Sequence, residues 1–170
     1  YIRHIEGATI ATMRESGRFE ASTDFARSGE VEAILICVPT PLGPHREPDI
    51  SYVVESGRAI APYLVGRGVG ARREKLIVLE STTYPGTTDT ELRSVLEEGS
   101  GLEAGVGFHL AYSPEREDPG RSDHSVKTIP KVVGGFSPAC LERAIELYRM
   151  AVNQLHAVDS CRVAEATKLT

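Results

Sequence analysis

The chain's 170 residues, 41% hydrophobic and 25% charged, suit one soluble globular domain with a sizeable core. A formal charge of −5 argues against a nucleic-acid partner, since such binders usually show a basic face, and no apolar run approaches the roughly 18 residues of a membrane span, so neither nucleic acid nor membrane is an expected partner. Cys37, Cys140 and Cys161 are odd in number and lack CxxC spacing, which fits a reducing compartment, the cytoplasm, better than a disulfide-built secreted domain.

The elements are predicted in chain order as short apolar runs alternating with segments of helical period, the pattern of parallel strands joined by crossover helices. The first strand, 33–38, contains ILICV, apolar almost throughout, and its composition places it in the middle of a sheet. A helix follows, with Ile50, Val53, Val54, Gly57, Ile60, Ala61 and Leu64 on one stripe and Asp49 as its cap. Residues 66–73, GRGVGARR, form a basic linker rather than a nucleotide loop, because they follow a helix and precede a strand. The second strand is Leu76–Leu79, after which Leu92, Val95 and Leu96 mark a weaker helical stripe; Thr87 or Thr88 is placed to cap that helix. A third strand covers 107–112. Ser137 and Pro138 then open a helix whose stripe is Leu141, Ala144, Ile145 and Tyr148. A last strand-like run, 155–158, leads to Ser160, the cap of a helix with no stop signal before Thr170. With Tyr1 in place of an initiator methionine, the expectation is a piece of a longer protein, without a signal peptide.

Ligands of open parallel sheets bind beyond the carboxyl ends of the strands, where loops and helix N-termini converge. The polar residues concentrate there. Pro39-Thr40-Pro41 follows the first strand, Glu80-Ser81-Thr82-Thr83 the second, and Ser113-Pro114-Glu115-Arg116 the third. Ser81 and Thr82 can exchange hydrogen bonds with a ligand or water without imposing charge. Glu115 reads either as a surface acid or as a group that holds a water and takes a proton, and Arg116-Glu117-Asp118 either as a solvated loop or as part of the site. Lys168 emerges from a half-buried helix face, free to snorkel or to stabilise an oxyanion. The five histidines and the cysteines show no ligand spacing, so no metal is expected. Cys37 and Cys140 read as small buried hydrophobes. Cys161, at a helix start, has no flanking histidine base.

Taken together, ILICVPTPLGPHREPDISYV, LESTTYPGTT, SPEREDPG, TIPKVVGG and AEATKL resemble the UDP-glucose/GDP-mannose dehydrogenase family in order and spacing, over 19–170. The variants SPEREDPG and TIPKVVGG look most like bacterial members acting on UDP-N-acetylhexosamines, the UDP-N-acetylglucosamine 6-dehydrogenase type, with UDP-glucose as the rival substrate. The resemblance implies an α/β, Rossmann-like, mostly parallel sheet with helices on both faces, its first strand–helix unit missing. Residues 1–158 would be a partial NAD-binding domain and 159–170 the start of a central helix through which the full-length protein forms a homodimer. It implies NAD-dependent oxidation of a UDP-sugar C6 alcohol to the uronic acid in two steps. On this carry-over Thr40, Pro41, Ser81 and Thr82 contact NAD, and Thr82 also holds a catalytic water. Glu115 shares that water as acid/base, Arg116 and Glu117 lie on the sugar-nucleotide loop, and Lys168 stabilises the oxyanion at C6. Pro119 stands where many members carry a second glutamate. The family's glycine-rich phosphate turn would precede Tyr1 and its nucleophilic cysteine would follow Thr170, so the isolated chain is expected to be inactive; a non-catalytic nucleotide-binding domain is the alternative.

Overall fold

The computed structural model describes residues 6–43, 47–65, 74–115 and 130–168. The 66–73 linker, His45, His124, Arg116 to Asp118 and Pro119 lie outside them. Five strands form one sheet in chain order: β1 (Ala33–Ile36), β2 (Leu76–Leu79), β3 (His109–Tyr112), β4 (Lys131–Gly135) and β5 (Leu155–Val158). The first three run parallel, with Ile36, Leu79 and Tyr112 in one row. β4 turns back antiparallel to β3, and β5 is parallel to β4. Every residue of β2 is buried, as a strand paired on both sides and covered on both faces requires.

Helices cover both faces. The side chains of Ile36, Ile77, Leu79, Leu110 and Tyr112 form a core with residues of α2 (Ser51–Ile60), α3 (Arg93–Ser100) and α5 (Cys161–Ala166). Leu76, Val78, Ala111 and Val133 point the other way, onto Ala144 and Tyr148 of α4 (Pro138–Tyr148). Pleat alternation makes this division, since residues two apart share a face. Each fully buried Leu or Val side chain contributes about 1.5–3 kcal/mol. The predicted caps at Ser137 and Ser160 are in place, accepting the N–H groups of Cys140 and Val163; at α2 the N-cap position falls on Ile50, and Asp49, one residue earlier, accepts the Ser51 N–H. An N-terminal helix, α1 (Gly7–Glu15), has no buried residue.

Three expectations need correction. Among the described residues β1 stands at the end of the sheet instead of in its middle: none of them pairs with its outer side, and Leu35 is 44% exposed. The strand β4 is not anticipated, because Gly134 and Gly135 dilute its apolar pattern. Packing explains both glycines. A Cβ at 134 would overlap the Ser160 carbonyl and one at 135 would overlap the Leu141 backbone, so the starts of α5 and α4 sit directly against the sheet. Finally, Thr87 and Thr88 do not cap the helix that follows them. That helix opens as a π-helical stretch, Thr87–Leu92, before α3. The Thr87 hydroxyl donates to the Tyr84 carbonyl and the Thr88 hydroxyl to Glu165.

Candidate functional site

The row Ile36, Leu79 and Tyr112 sets the level at which three parallel strands end, and Thr40, Thr82 and Glu115 follow within three or four residues. All three therefore lie along one edge of the sheet. Thr40 is half-buried, while Pro41, Thr82 and Glu115 are exposed. Lys168 reaches the same edge from the far end of α5: its Nζ donates to the Glu115 carbonyl oxygen. The four residues that the sequence singles out on four separate segments share one rim.

Ser81 is buried, and its hydroxyl belongs to the backbone of the rim. Its Oγ accepts from Val38 N–H at 2.8 Å and donates to the Val38 carbonyl at 2.7 Å. This side chain extends the β1–β2 ladder one step beyond its last main-chain pair and fixes the chain that carries Thr40. Below it, the Glu115 N–H approaches the Glu80 carbonyl at 3.4 Å, continuing the β2–β3 pairing in the same way.

Two acids that the sequence reading passes over organise this edge. Glu80 continues the α4-facing row of Leu76 and Val78 and is buried. Its carboxylate pairs with Lys131 Nζ at 2.9 Å, accepts the Tyr148 hydroxyl and lies 3.6 Å from Cys37 Sγ. Lys131 also stands over the Tyr148 ring, 4.9 Å from its centroid. Burial, followed by the Glu80 charge, pushes the Tyr148 hydroxyl well above the usual phenol range, so it serves as a donor and not as a base. Partial burial of its sulfur against Glu80, followed by the Glu80 charge, pushes the Cys37 thiol up to about 11, although the residue as a whole is open to solvent. Cys37 is exposed, not a buried hydrophobe as expected, because it lies just past the end of β1, where the strand leaves its cover.

The second acid is Glu165, fully buried on α5. Its Oε2 accepts Gly86 N–H at 2.6 Å, and its Oε1 accepts Thr88 N–H at 2.9 Å and the Thr88 hydroxyl at 2.7 Å. The carboxyl group thereby caps the helix start for which the sequence offers Thr87 and Thr88. Burial raises its pKa, and the three donors oppose that rise. A signal for Glu165 exists in the spacing: it lies four residues from Cys161, on the stripe that α5 buries. Glu80 gives a fainter one, an acid ending an apolar run.

Cys140 and Cys161 are buried. Burial and then the Glu165 charge push the Cys161 thiol well above its ordinary range, so its helix-start position does not activate it. Among the described residues no group of three or more His, Cys, Asp or Glu side chains could hold a metal ion, and no helix is long and apolar enough to cross a membrane. Arg116 and Glu117, expected on a substrate loop, are outside the described residues.

Comparison with known proteins supplies the rest. The NAD binding domain of the UDP-glucose/GDP-mannose dehydrogenase family matches residues 4–152. The UDP-N-acetyl-D-glucosamine 6-dehydrogenase of Pseudomonas aeruginosa is 32% identical over 160 residues, 94% of this chain and 36% of that protein. The UDP-N-acetyl-D-mannosamine dehydrogenase of Escherichia coli (strain K12) is 34% identical over 169 residues, covering 96% and 38%. The crystal structure of the NDP-N-acetyl-D-galactosaminuronic acid dehydrogenase from Methanosarcina mazei Go1 superposes with a TM-score of 0.81 at 35% identity, covering 95% of this chain and 33% of that one. The chain thus spans little more than a third of the length of the curated relatives it matches.

Proposed function

Because the chain belongs to the UDP-glucose/GDP-mannose dehydrogenase family, as its NAD-binding domain, we propose that it is the cofactor-domain portion of an NAD-dependent nucleotide-sugar 6-dehydrogenase. The substrate we assign is a UDP-N-acetylhexosamine, whose C6 alcohol is oxidised through the aldehyde to the uronic acid. The names of the relatives above support the acetamido sugar over UDP-glucose. Residues 159–170 begin the central helix of the full-length protein, through which it forms a homodimer, and the setting is the cytoplasm.

The observation that carries this reading is the meeting of Lys168 with the Glu115 carbonyl, at the rim where Thr40 and Thr82 also lie. The residues present fit part of a dinucleotide. Thr40 and Thr82 offer uncharged hydroxyls at the exits of adjacent parallel strands, Thr82 exposed and Thr40 half-buried. Thr40, Pro41, Ser81 and Thr82 would hold the cofactor, with Ser81 acting through the backbone it braces. NAD would supply the hydride acceptor there, one molecule for each of the two oxidations.

The chain's own residues have the remaining work. Thr82 holds a water at the lip of β2, and Glu115 shares that water, taking a proton as the alcohol is oxidised and activating the water for the second step. Arg116 and Glu117 are assigned to substrate binding by the family resemblance alone. Lys168 places a positive charge where the C6 oxygen becomes anionic, an interaction made with the charged intermediate more than with the ground state. The second oxidation needs a covalent stage or its equivalent. None of the three cysteines here is an activated thiol, since two are buried and the third is held protonated. The isolated chain is therefore inactive in turnover.

The test is NAD reduction by the full-length protein with UDP-N-acetylglucosamine, UDP-N-acetylgalactosamine, UDP-glucose and GDP-mannose. A UDP-N-acetylhexosamine should be preferred, with two NAD reduced per sugar, and a preference for UDP-glucose overturns the substrate assignment. Lys168→Ala should lower kcat by about 10²-fold or more, the cost of removing one oxyanion donor, while the KM for NAD stays within about twofold.

A further inference from the structure

Helix α5 touches the rim at two places one turn apart. Lys168 engages the carbonyl at the exit of β3, and Glu165 engages Gly86 and Thr88 in the loop that leaves β2. We propose that Glu165 is a positioning residue: by gripping the 86–88 loop it fixes the rotation and height of α5, and so determines where the Lys168 amine stands between Thr82 and Glu115.

The geometry supports a placing role. Three donors converge on the two oxygens of a side chain that is 0% exposed, and two of them are backbone N–H groups at the start of a helix, which cannot move without shifting that helix. Gly86 lies at φ +104°, a left-handed conformation that aims its N–H toward α5. Lys168 follows in the turn just after α5 ends, and its N–H bonds back to the Glu165 carbonyl at 3.2 Å, so the grip on the loop and the reach of the amine are linked through one turn. Nearer its start α5 is also tied by Arg162, whose Nε donates to Asp89 Oδ2 at 2.8 Å, and by the packing of Gly134 against Ser160 and Ala164. Glu165 is the buried side-chain anchor that lies between those contacts and the amine.

The inference rests on the dehydrogenase reading for its functional weight, though not for its positional content, and the experiment separates the two. In this chain, Glu165→Gln keeps the shape but turns an amide NH₂ toward one of the backbone donors. Pulse acetylation of lysines read by mass spectrometry should then show Lys168 modified roughly three- to tenfold faster, the worth of one or two hydrogen bonds. Amide exchange at Gly86 and Thr88 should accelerate as well. Lys75, buried and bonded to the Gly29 and Val31 carbonyls, reports whether the fold is intact. Should Glu165→Gln also expose Lys75, Thr88→Val is read instead, and it should raise Lys168 labelling in the same direction by a smaller factor. Unchanged Lys168 labelling in a folded variant overturns the proposal. In the full-length enzyme, Glu165→Gln should reduce kcat about tenfold or more with the KM for NAD within about twofold; an unchanged kcat makes Glu165 merely structural and also overturns it. If the unsubstituted full-length protein reduces no NAD with any nucleotide sugar, the dehydrogenase reading falls, while the labelling result still decides whether Glu165 places the amine.

Discussion

Replacing Lys131 with methionine removes the charge facing Glu80 and keeps most of the side-chain volume. The two side chains are 11% and 8% exposed and their charged atoms are 2.9 Å apart. At an effective dielectric constant of about 20 that separation corresponds to roughly 6 kcal/mol of gross attraction, most of it offset by the cost of taking two ions out of water. What the variant measures is the asymmetry. The Glu80 carboxylate stays buried, with the Tyr148 hydroxyl as donor and the Cys37 thiol nearby, and removal of one partner of such a pair costs about 3–5 kcal/mol. For a chain of this size that lowers Tm by roughly 6–20 °C. Urea denaturation followed by far-UV circular dichroism, at constant m-value, gives the free energy directly. The double variant Glu80→Met with Lys131→Met should recover to within about 1–2 kcal/mol of the unsubstituted chain, because two apolar side chains leave no unpaired ion. A loss below about 1 kcal/mol for Lys131→Met would place the pair with solvent-exposed ion pairs and refute the reasoning.

Further outcomes follow from the same side chains. Cys37, although exposed, should alkylate with iodoacetamide on the order of a hundredfold more slowly than an ordinary surface thiol at neutral pH, since a pKa of about 11 leaves little thiolate. Glu80→Gln should speed the reaction, and an unaltered rate would show that the carboxylate is not what holds the proton. Gly134→Ala should destabilise by about 1–3 kcal/mol, because the new methyl meets the Ser160 carbonyl; a melting temperature within a degree or so of the original would contradict that contact. Burial raises the pKa of Glu165 above its unfolded value, so the folded chain binds this proton more tightly and stability falls as pH rises through the interval between the two values. On acidification toward the ordinary carboxylate value of 4.5 the unsubstituted chain should therefore gain stability relative to Glu165→Gln. Urea midpoints at steps of pH test the sign, and a relative loss on acidification would reverse it.

The sequence makes some of this architecture plain and hides the rest for identifiable reasons. Continuous apolar runs reveal β1, β2 and β3, and hydroxyls at fixed offsets reveal the starts of α4 and α5, because both signals are local. Thr40, Thr82 and Glu115 are legible as a rim because parallel strands bring their exits to one edge, and Lys168 joins them through the resemblance and the half-buried stripe of α5. The organisation beneath the rim is not legible. Glu80, Lys131, Tyr148 and Cys37 come from four segments, and nothing in any one of them announces the others. Thr87 and Thr88 mislead for the same reason. Their own hydroxyls are sound caps by preference, yet a carboxyl group 77 residues along the chain from Thr88 takes the role.

The outer margin of β1 has a practical bearing. Half of the hydrogen-bonding groups of its main chain face away from β2, beside the exposed Leu35. Such a margin is a template onto which another extended segment can zip. Preparations of the chain by itself should consequently become turbid or form higher-mass species as they are concentrated, and a charge introduced by Leu35→Lys should keep them clear.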